Sequence, residues 1–428
     1  MAPTGPRIIL ACCGSLGDLH PFLAVAQALK ARGARPMLAT SPGFATIAAD
    51  AGLEAEAIHP GVREMLDYRG LSPDDALHRV MHDAGFVFDF VYPYTLEAVR
   101  RLDELAGDAA VITGHSIAFA GELVAARRNI PFVPISLHPY STMSAHDPPL
   151  MGRFRAFRLA PKTPPALWWN RLVRALIHRG ARKRFGPQAN LVRAACGLPP
   201  VRGAPLAGFE PGHPLMLGLY SPLLSPAQPD LPHMVVTGAP FFDPPGEAEA
   251  MDTGLAAFMD SGPAPLVFTL GSAAVAAPGD FYGEAAAAAR ALGWRAVLVG
   301  APAEAATGGD VFAAQYVPHG LVFPNAAAVI HQGGVGTLAR AIAAARPQLV
   351  VPHMFDQFDN ARRVRRLGLG DALDAARFTA ANATPRLARI LDDPAIAQRC
   401  TDAGRAIAAE RGADTAAQQI LALAQRNA

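Results

Sequence analysis

The sequence predicts an α/β chain built from two Rossmann-like domains in tandem, each a parallel sheet with helices on both faces. Three observations point there. Short apolar runs alternate with helical stretches along the chain, the pattern of repeated strand–helix–strand units. The alternation stops in a proline-rich interval, 221–245, which reads as a linker, and then restarts. At 428 residues the chain is also long for a single core, and its 51% hydrophobic content suffices for two.

Taken in order, residues 7–13 read as a buried strand running into the turn Gly14-Ser15-Leu16-Gly17-Asp18. Residues 21–32 read as a helix, with Pro21 in its first turn and Gly33 at its end. Residues 35–40 and 53–58 read as strands. So do 109–113 and 131–136, which flank a helix near 116–128. The second series has a strand at 265–270, a helix at 281–292 and a strand at 294–299. Strands near 312–317 and 328–332, a helix at 335–345 and a strand at 348–352 complete it. In open sheets of this kind ligands bind beyond the carboxyl ends of the strands. The loops after Cys13, Leu270, Gln332 and Pro352 are therefore the places to look for chemistry.

Composition narrows the function classes. A formal net charge of +2 is not that of a nucleic-acid-binding polycation. Four cysteines without Cys-x-x-Cys spacing make neither a disulfide framework nor a zinc site, and suit a reducing cytosol. The apolar run 8–13 is shorter than a secretory core. No run approaches the ~20 apolar residues that span a bilayer. A soluble or peripheral protein is expected.

The richest constellation is His331-Gln332-Gly333-Gly334-Val335-Gly336-Thr337, placed between an apolar strand and a helix. Glycines let a ligand approach the backbone. A helix start presents free N–H groups and a positive dipole end to phosphate oxygens. Thr337 adds a hydroxyl and His331 a ring N–H. The same residues would also make a tight strand–helix turn around a packed histidine. The loop lacks the Gly-Lys-Ser/Thr element of a P-loop. One strand later, Asp356 and Gln357 offer the acceptors and donors that a hydroxyl-rich ligand needs. Helix capping by Asp356 or Asp359 is the alternative.

These residues, with Pro347, resemble the donor-binding signature of family 1 glycosyltransferases. Tyr316-Val317-Pro318-His319 is similar to the Trp-x-Pro-Gln element that receives the nucleobase in plant members, and Gly271-Ser272 to a turn that touches the diphosphate. The resemblance implies the GT-B fold: two facing Rossmann-like domains with an interdomain cleft, the sugar nucleotide mainly on the C-terminal one. It implies that Tyr316 stacks on the base and that the Val317 backbone bonds the base edge, with His319 standing where Gln is usual. Ser272, His331, Gly333, Gly334, Gly336 and Thr337 would line the diphosphate, and Asp356 and Gln357 the sugar hydroxyls. A dTDP- or UDP-linked sugar is the implied cosubstrate. No metal ion is implied, since the helix start and the histidine would stabilise the leaving diphosphate.

The loop from Gly14 to Pro21 resembles the acceptor-side loop of the same family. Asp18 stands three residues before Pro21, where bacterial antibiotic and rhamnolipid enzymes carry Asp and many other members His. The resemblance implies a single inverting displacement at the anomeric carbon, with Asp18 taking the proton of the acceptor hydroxyl. Asp18 also fits an N-cap, and His20 is the competing base. The Asp that partners a catalytic His in plant enzymes would fall near Gly114 and is absent. Ser15, His115 and His138 are the expected acceptor-side residues, the two histidines being equally readable as packed. The implied division is an acceptor domain at 1–230, a linker at 231–250, a donor domain at 251–405, and a helix at 406–428 returning to the N-terminal domain.

Within the family, five stretches are most similar to the bacterial rhamnosyltransferases of rhamnolipid synthesis: 14–18, 141–149, 266–272, 279–282 and 356–360. That similarity implies dTDP-L-rhamnose as donor and a hydroxy fatty acid dimer as acceptor. Alternatives are a UDP-hexose donor with a polyketide, flavonoid or sterol-like acceptor, and a non-catalytic nucleotide-sugar-binding or partner protein. From 148 to 209 there is no Asp or Glu, but there are twelve Lys or Arg, with Trp168 and Trp169 among them. Residues 153–184 thus suit contact with an anionic membrane surface. A solvated face or a cover over the acceptor pocket would read the same way. No binding motif for nucleic acid accompanies the patch. The expected setting is the cytoplasm, peripheral to the inner face of a bacterial membrane, with a partner enzyme of the same pathway.

Overall fold

The computed structural model describes residues 5–83, 85–152, 154–203, 212–245, 251–271, 275, 278–305 and 308–427. The chain divides into two compact units. One comprises Met1–Phe242 and Arg411–Ala428, the other Asp243–Glu410. Both are α/β units around a parallel sheet.

The first unit contains β1 (Arg7–Ala11), β2 (Arg35–Thr40), β3 (Glu54–Ala57), β4 (Ala109–His115), β5 (Phe132–Ser136), β6 (Met216–Gly218) and β7 (Met234–Val236). Their spatial order is 3-2-1-4-5-6-7, every pair parallel. Successive side chains of a strand point to opposite faces. Ile8 and Leu10 therefore pack with Leu19, Phe22 and Leu23, while Ile9 packs on the other face with Met37 and Ile112. The C-terminal helix Gly412–Arg426 belongs to this unit. Its Ala416, Ile420 and Leu423 are buried in the same cluster as Leu19 and Phe22 of the helix Leu16–Ala31.

Parts of this unit depart from the sequence reading. The first helix starts at Leu16, five residues before Pro21, because Ser15 and Asp18 close a capping box. Pro21 lies inside the helix, where its missing N–H leaves the carbonyl of exposed Gly17 to solvent. The interval 221–245 is more than a linker. It carries β7, which pairs with β6 in the register Leu217↔Val235. A three-residue strand among prolines is too short for periodicity to reveal.

The second unit contains β8 (Leu266–Thr269), β9 (Ala296–Val299), β10 (Val311–Ala314), β11 (Ala328–His331), β12 (Gln348–Val350) and β13 (Gly370–Ala372), ordered 10-9-8-11-12-13 and all parallel. Val267, Val297 and Val329 pack with Val317 and Phe323. β10 ends at Ala314, so Tyr316 and Val317 lie in the segment after it rather than in the strand. In each sheet the strand order reverses direction once, between β1 and β4 and between β8 and β11. Such switch points are where open α/β sheets bind ligands. Among the described residues no helix is long and apolar enough to cross a membrane.

Candidate active site

In the second unit, β8 and β11 are neighbours at the switch point, so the turns that follow them meet. Gln332 fills the space between. A Cβ on Gly271 would lie 2.1 Å from Gln332 Nε2, and one on Gly334 2.8 Å from it. Gln332 Oε1 is buried without a hydrogen-bond partner. Sequence reasoning passed over this residue, although Gly271 and Gly334 mark the room it needs.

In this arrangement both ring nitrogens of His331, expected at the diphosphate, are engaged within the protein. It is fully buried. Its Nδ1 accepts from the Gly333 N–H (3.0 Å), leaving Nε2–H to donate to Gln348 Oε1 (2.9 Å). Burial pushes its pKa down to about 4, so the ring is neutral. His331 shapes the loop. Gly333 completes it at φ +95°, where a Cβ would also meet Val350 Cγ1 at 2.7 Å. The helix Val335–Ala343 then starts with Gly334 as its N-cap. Gly336 is exposed, and a Cβ there would meet nothing within 4 Å. Thr337 beside it is half-buried. Open ground thus lies over unpaired N–H groups at the helix start, the physical requirement for an anion seat.

Asn360 joins this loop to the next. Its Nδ2 donates to Gly333 O (2.8 Å) and to Asp356 Oδ2 (2.7 Å). Gln357 is buried, its Oε1 accepting from the N–H groups of His353 (2.8 Å) and Met354 (3.0 Å). Its Nε2 has no partner among the described residues and can donate to a ligand. The turn between them holds Phe355 at φ +45°, a strained value for a side-chain-bearing residue. Capping does not explain the two aspartates. Asp356 makes no cap hydrogen bond, and Asp359 is fully buried in ion pairs with Arg363 (2.7 Å) and Arg362 (2.8 Å). Tyr316 is 52% exposed, its ring parallel within 25° to His319, which in turn stacks on Phe323 at 4.4 Å. Val317 is fully buried. Ser272 lies outside the described residues.

In the first unit, the loop after β1 is folded around one carboxylate. The Ser15 N–H (2.8 Å) and Oγ–H (3.0 Å) donate to Asp18 Oδ2. Gly14, at φ +123°, leaves room that a Cβ would close, 2.5 Å from the same oxygen. Asp18 Oδ1 has no partner among the described residues. Asp18 is thus the third helical residue rather than the N-cap, and Ser15 holds its carboxylate. The Cys13 N–H donates to His115 Nε2 (3.1 Å), so His115, buried at the end of β4, holds the other end of the loop. Burial lowers the His115 pKa, with the Asp18 charge opposing. His20 packs its ring on Phe242 at 5.5 Å. Two residues from Asp18 on a helix, it points to a different side. His138 is half-buried near Tyr140, with Nδ1 buried and unpartnered.

A small apolar cavity, with room for about one water, lies beside this loop. Cys12, Cys13, His59, Met65, Tyr94 and Phe119 are among its lining residues. His115 and His138 do not line it, whereas His59 does. Sequence reasoning had not singled His59 out. Its Nδ1 faces Pro60 O (2.9 Å) and its Nε2 faces Cys12 O (3.1 Å). Tyr94 Oη is buried without a partner. Burial, reinforced by Asp18, pushes the Cys13 thiol up to about 12, so it adds no charge.

Residues 8–84 match the family described as the glycosyltransferase family 28 N-terminal domain, and residues 301–423 the erythromycin biosynthesis protein CIII-like C-terminal domain. The chain is 32% identical over 385 residues, 86% of either chain, to the vancomycin aglycone glucosyltransferase of Amycolatopsis orientalis. It is 32% identical over 428 residues, 96% of either chain, to the O-mycaminosyltylonolide 6-deoxyallosyltransferase of Streptomyces fradiae. To the dTDP-epi-vancosaminyltransferase of Amycolatopsis orientalis it is 29% identical, over 86% of this chain and 85% of that one. The crystal structure of the kitacinnamycin glycosyltransferase superposes with a TM-score of 0.70 at 19% identity, covering 98% of this chain and 99% of that one. The chain belongs to the GT-B glycosyltransferases of families 1 and 28.

Proposed function

We propose that this glycosyltransferase moves a sugar from a dTDP-linked donor to a hydroxyl of an apolar acceptor, with inversion at the anomeric carbon. The observation that carries the reading is the second unit's open helix start. Gly336 and Thr337 offer a phosphate seat in the same unit as an exposed aromatic platform at Tyr316 and the free amide of Gln357. The relative named for a dTDP-linked sugar supports dTDP over UDP. In this reading the helix N–H groups take up the charge of the leaving diphosphate and no metal is needed. Asp18 Oδ1 accepts the proton of the acceptor hydroxyl as its oxygen bonds to the anomeric carbon and the bond to the diphosphate breaks. The apolar lining beside the Asp18 loop favours an acceptor with a hydrocarbon body, and the unpartnered Tyr94 Oη can give it one polar contact.

The resemblance to rhamnosyltransferases favours L-rhamnose and a hydroxy fatty acid dimer. The relatives named for a vancomycin aglycone and for O-mycaminosyltylonolide favour a second reading, a natural-product aglycone as acceptor. A matrix of dTDP-L-rhamnose, dTDP-glucose and UDP-glucose against a hydroxyacyl dimer and macrolide and glycopeptide aglycones, read by mass spectrometry, tests both. The expected result is the mass gain of one deoxyhexose on an apolar acceptor with a dTDP donor. Absence of product from every pair, together with no thermal stabilisation by dTDP, would overturn the reading.

A further inference from the structure

Ten large apolar side chains stand exposed among the described residues, and six of them fall between 154 and 176: Phe154, Leu159, Trp168, Trp169, Leu172 and Leu176. Clustered exposure of this kind marks an interaction surface. Four of the six lie on the helix Pro164–Ala195. Trp168, Leu172 and Leu176 follow one another at intervals of four, on one face, and Arg179 and Lys183 continue that face. The segment carrying Phe154 and Leu159 is held on the same helix. Trp169 Nε1 donates to Ala156 O (2.7 Å), and Asn170 bonds the Arg158 N–H (2.8 Å) and carbonyl (3.0 Å). Phe157 and Val173 are buried together beneath. The patch is therefore built, with its apolar side chains outward.

Its charge is one-sided. No acidic residue occurs from 148 to 209. Arg174 pairs with Asp230, and Arg184 with Asp83 and Asp89, all outside that stretch. Arg171, Arg179 and Lys183 have no acidic partner among the described residues. A second copy docked through this face would set like charges against each other. A nucleic acid would leave Leu172 and Leu176 uncovered. An anionic bilayer satisfies both features, since headgroup phosphates meet the cations while Trp and Leu enter the acyl boundary.

We infer that the outer face of the helix Pro164–Ala195 docks this protein on the surface of an anionic phospholipid bilayer. The full chain should co-float with phosphatidylglycerol-rich vesicles and bind pure phosphatidylcholine vesicles about tenfold more weakly, with loss of binding at roughly 0.5 M NaCl. The triple variant Trp168→Ser, Leu172→Ser, Leu176→Ser should lose about tenfold in partitioning, as should Arg179→Glu with Lys183→Glu. Melting temperature and turnover on a water-soluble acceptor should stay unchanged in both, because these side chains face solvent. In a Trp294→Phe background, emission from Trp168 and Trp169 should shift to the blue when vesicles are added. Failure to bind anionic vesicles, equal binding to neutral ones, or full binding by the triple variant would overturn the inference. So would a wild-type dimer that the triple variant dissolves, which would make the patch a self-interface.

Discussion

His331 shows how far a single residue can be read from sequence. Its place at the end of a strand before a glycine-rich turn was legible. The direction of its ring was not, because both faces of a parallel sheet are buried and either would accept an imidazole. The same limit hid the role of Gln332, whose side chain fills the gap between two turns far apart in sequence, at Gly271 and Gly334. Burial makes a pH prediction. The folded-state pKa of His331, about 4, lies below the ~6.5 of an unfolded histidine. As pH falls the unfolded chain binds the proton first. The contribution of neutral His331 is therefore complete above ~6.5 and is lost as pH falls towards 4, up to about 3 kcal/mol. Urea unfolding of the wild type and of His331→Gln from pH 7 to pH 4 checks this: the gap between them should shrink as pH falls. A gap that stays constant would mean that the ring is not held neutral.

At the scale of elements, the strand–turn–helix unit around β11 separates structural from ligand-facing glycines. Gly333 sits at a positive φ against Val350, whereas Gly336, the second residue of the helix, faces open space. Gly333→Ala should destabilise the fold by about 1–3 kcal/mol. Gly336→Leu should leave the melting temperature unchanged and weaken dTDP binding about tenfold or more by filling the phosphate seat. Calorimetry on both variants distinguishes the roles, and equal dTDP affinity in Gly336→Leu would remove the seat from this helix. Both glycines read alike in sequence; only the neighbours supplied by β12 and the helix after it tell them apart. The first helix carries a similar lesson. Proline in a first turn is a sound helix-start signal, yet the capping box of Ser15 and Asp18 overrides it and moves the start to Leu16.

Over the whole molecule, the alternation of apolar runs and helices made both sheets legible. The short strands β6, β7 and β13 escaped because three residues each carry little periodicity. The acceptor side was legible at Asp18 and obscure elsewhere. His59 and Tyr94 lie far along the chain, and the strand order 3-2-1-4 brings them to the cavity beside Cys13. That cavity and the Asp18 carboxylate belong to one unit, the phosphate seat to the other, and the proposed transfer draws on both. In that transfer Asp18 is the proposed base. The most direct test is turnover of Asp18→Asn beside the wild type, with dTDP affinity measured on both by calorimetry. A loss of about 10²–10⁴-fold in turnover with dTDP affinity unchanged is the expected result. Full turnover by Asp18→Asn would contradict it, and would reduce Asp18 to a residue that only closes the capping box with Ser15.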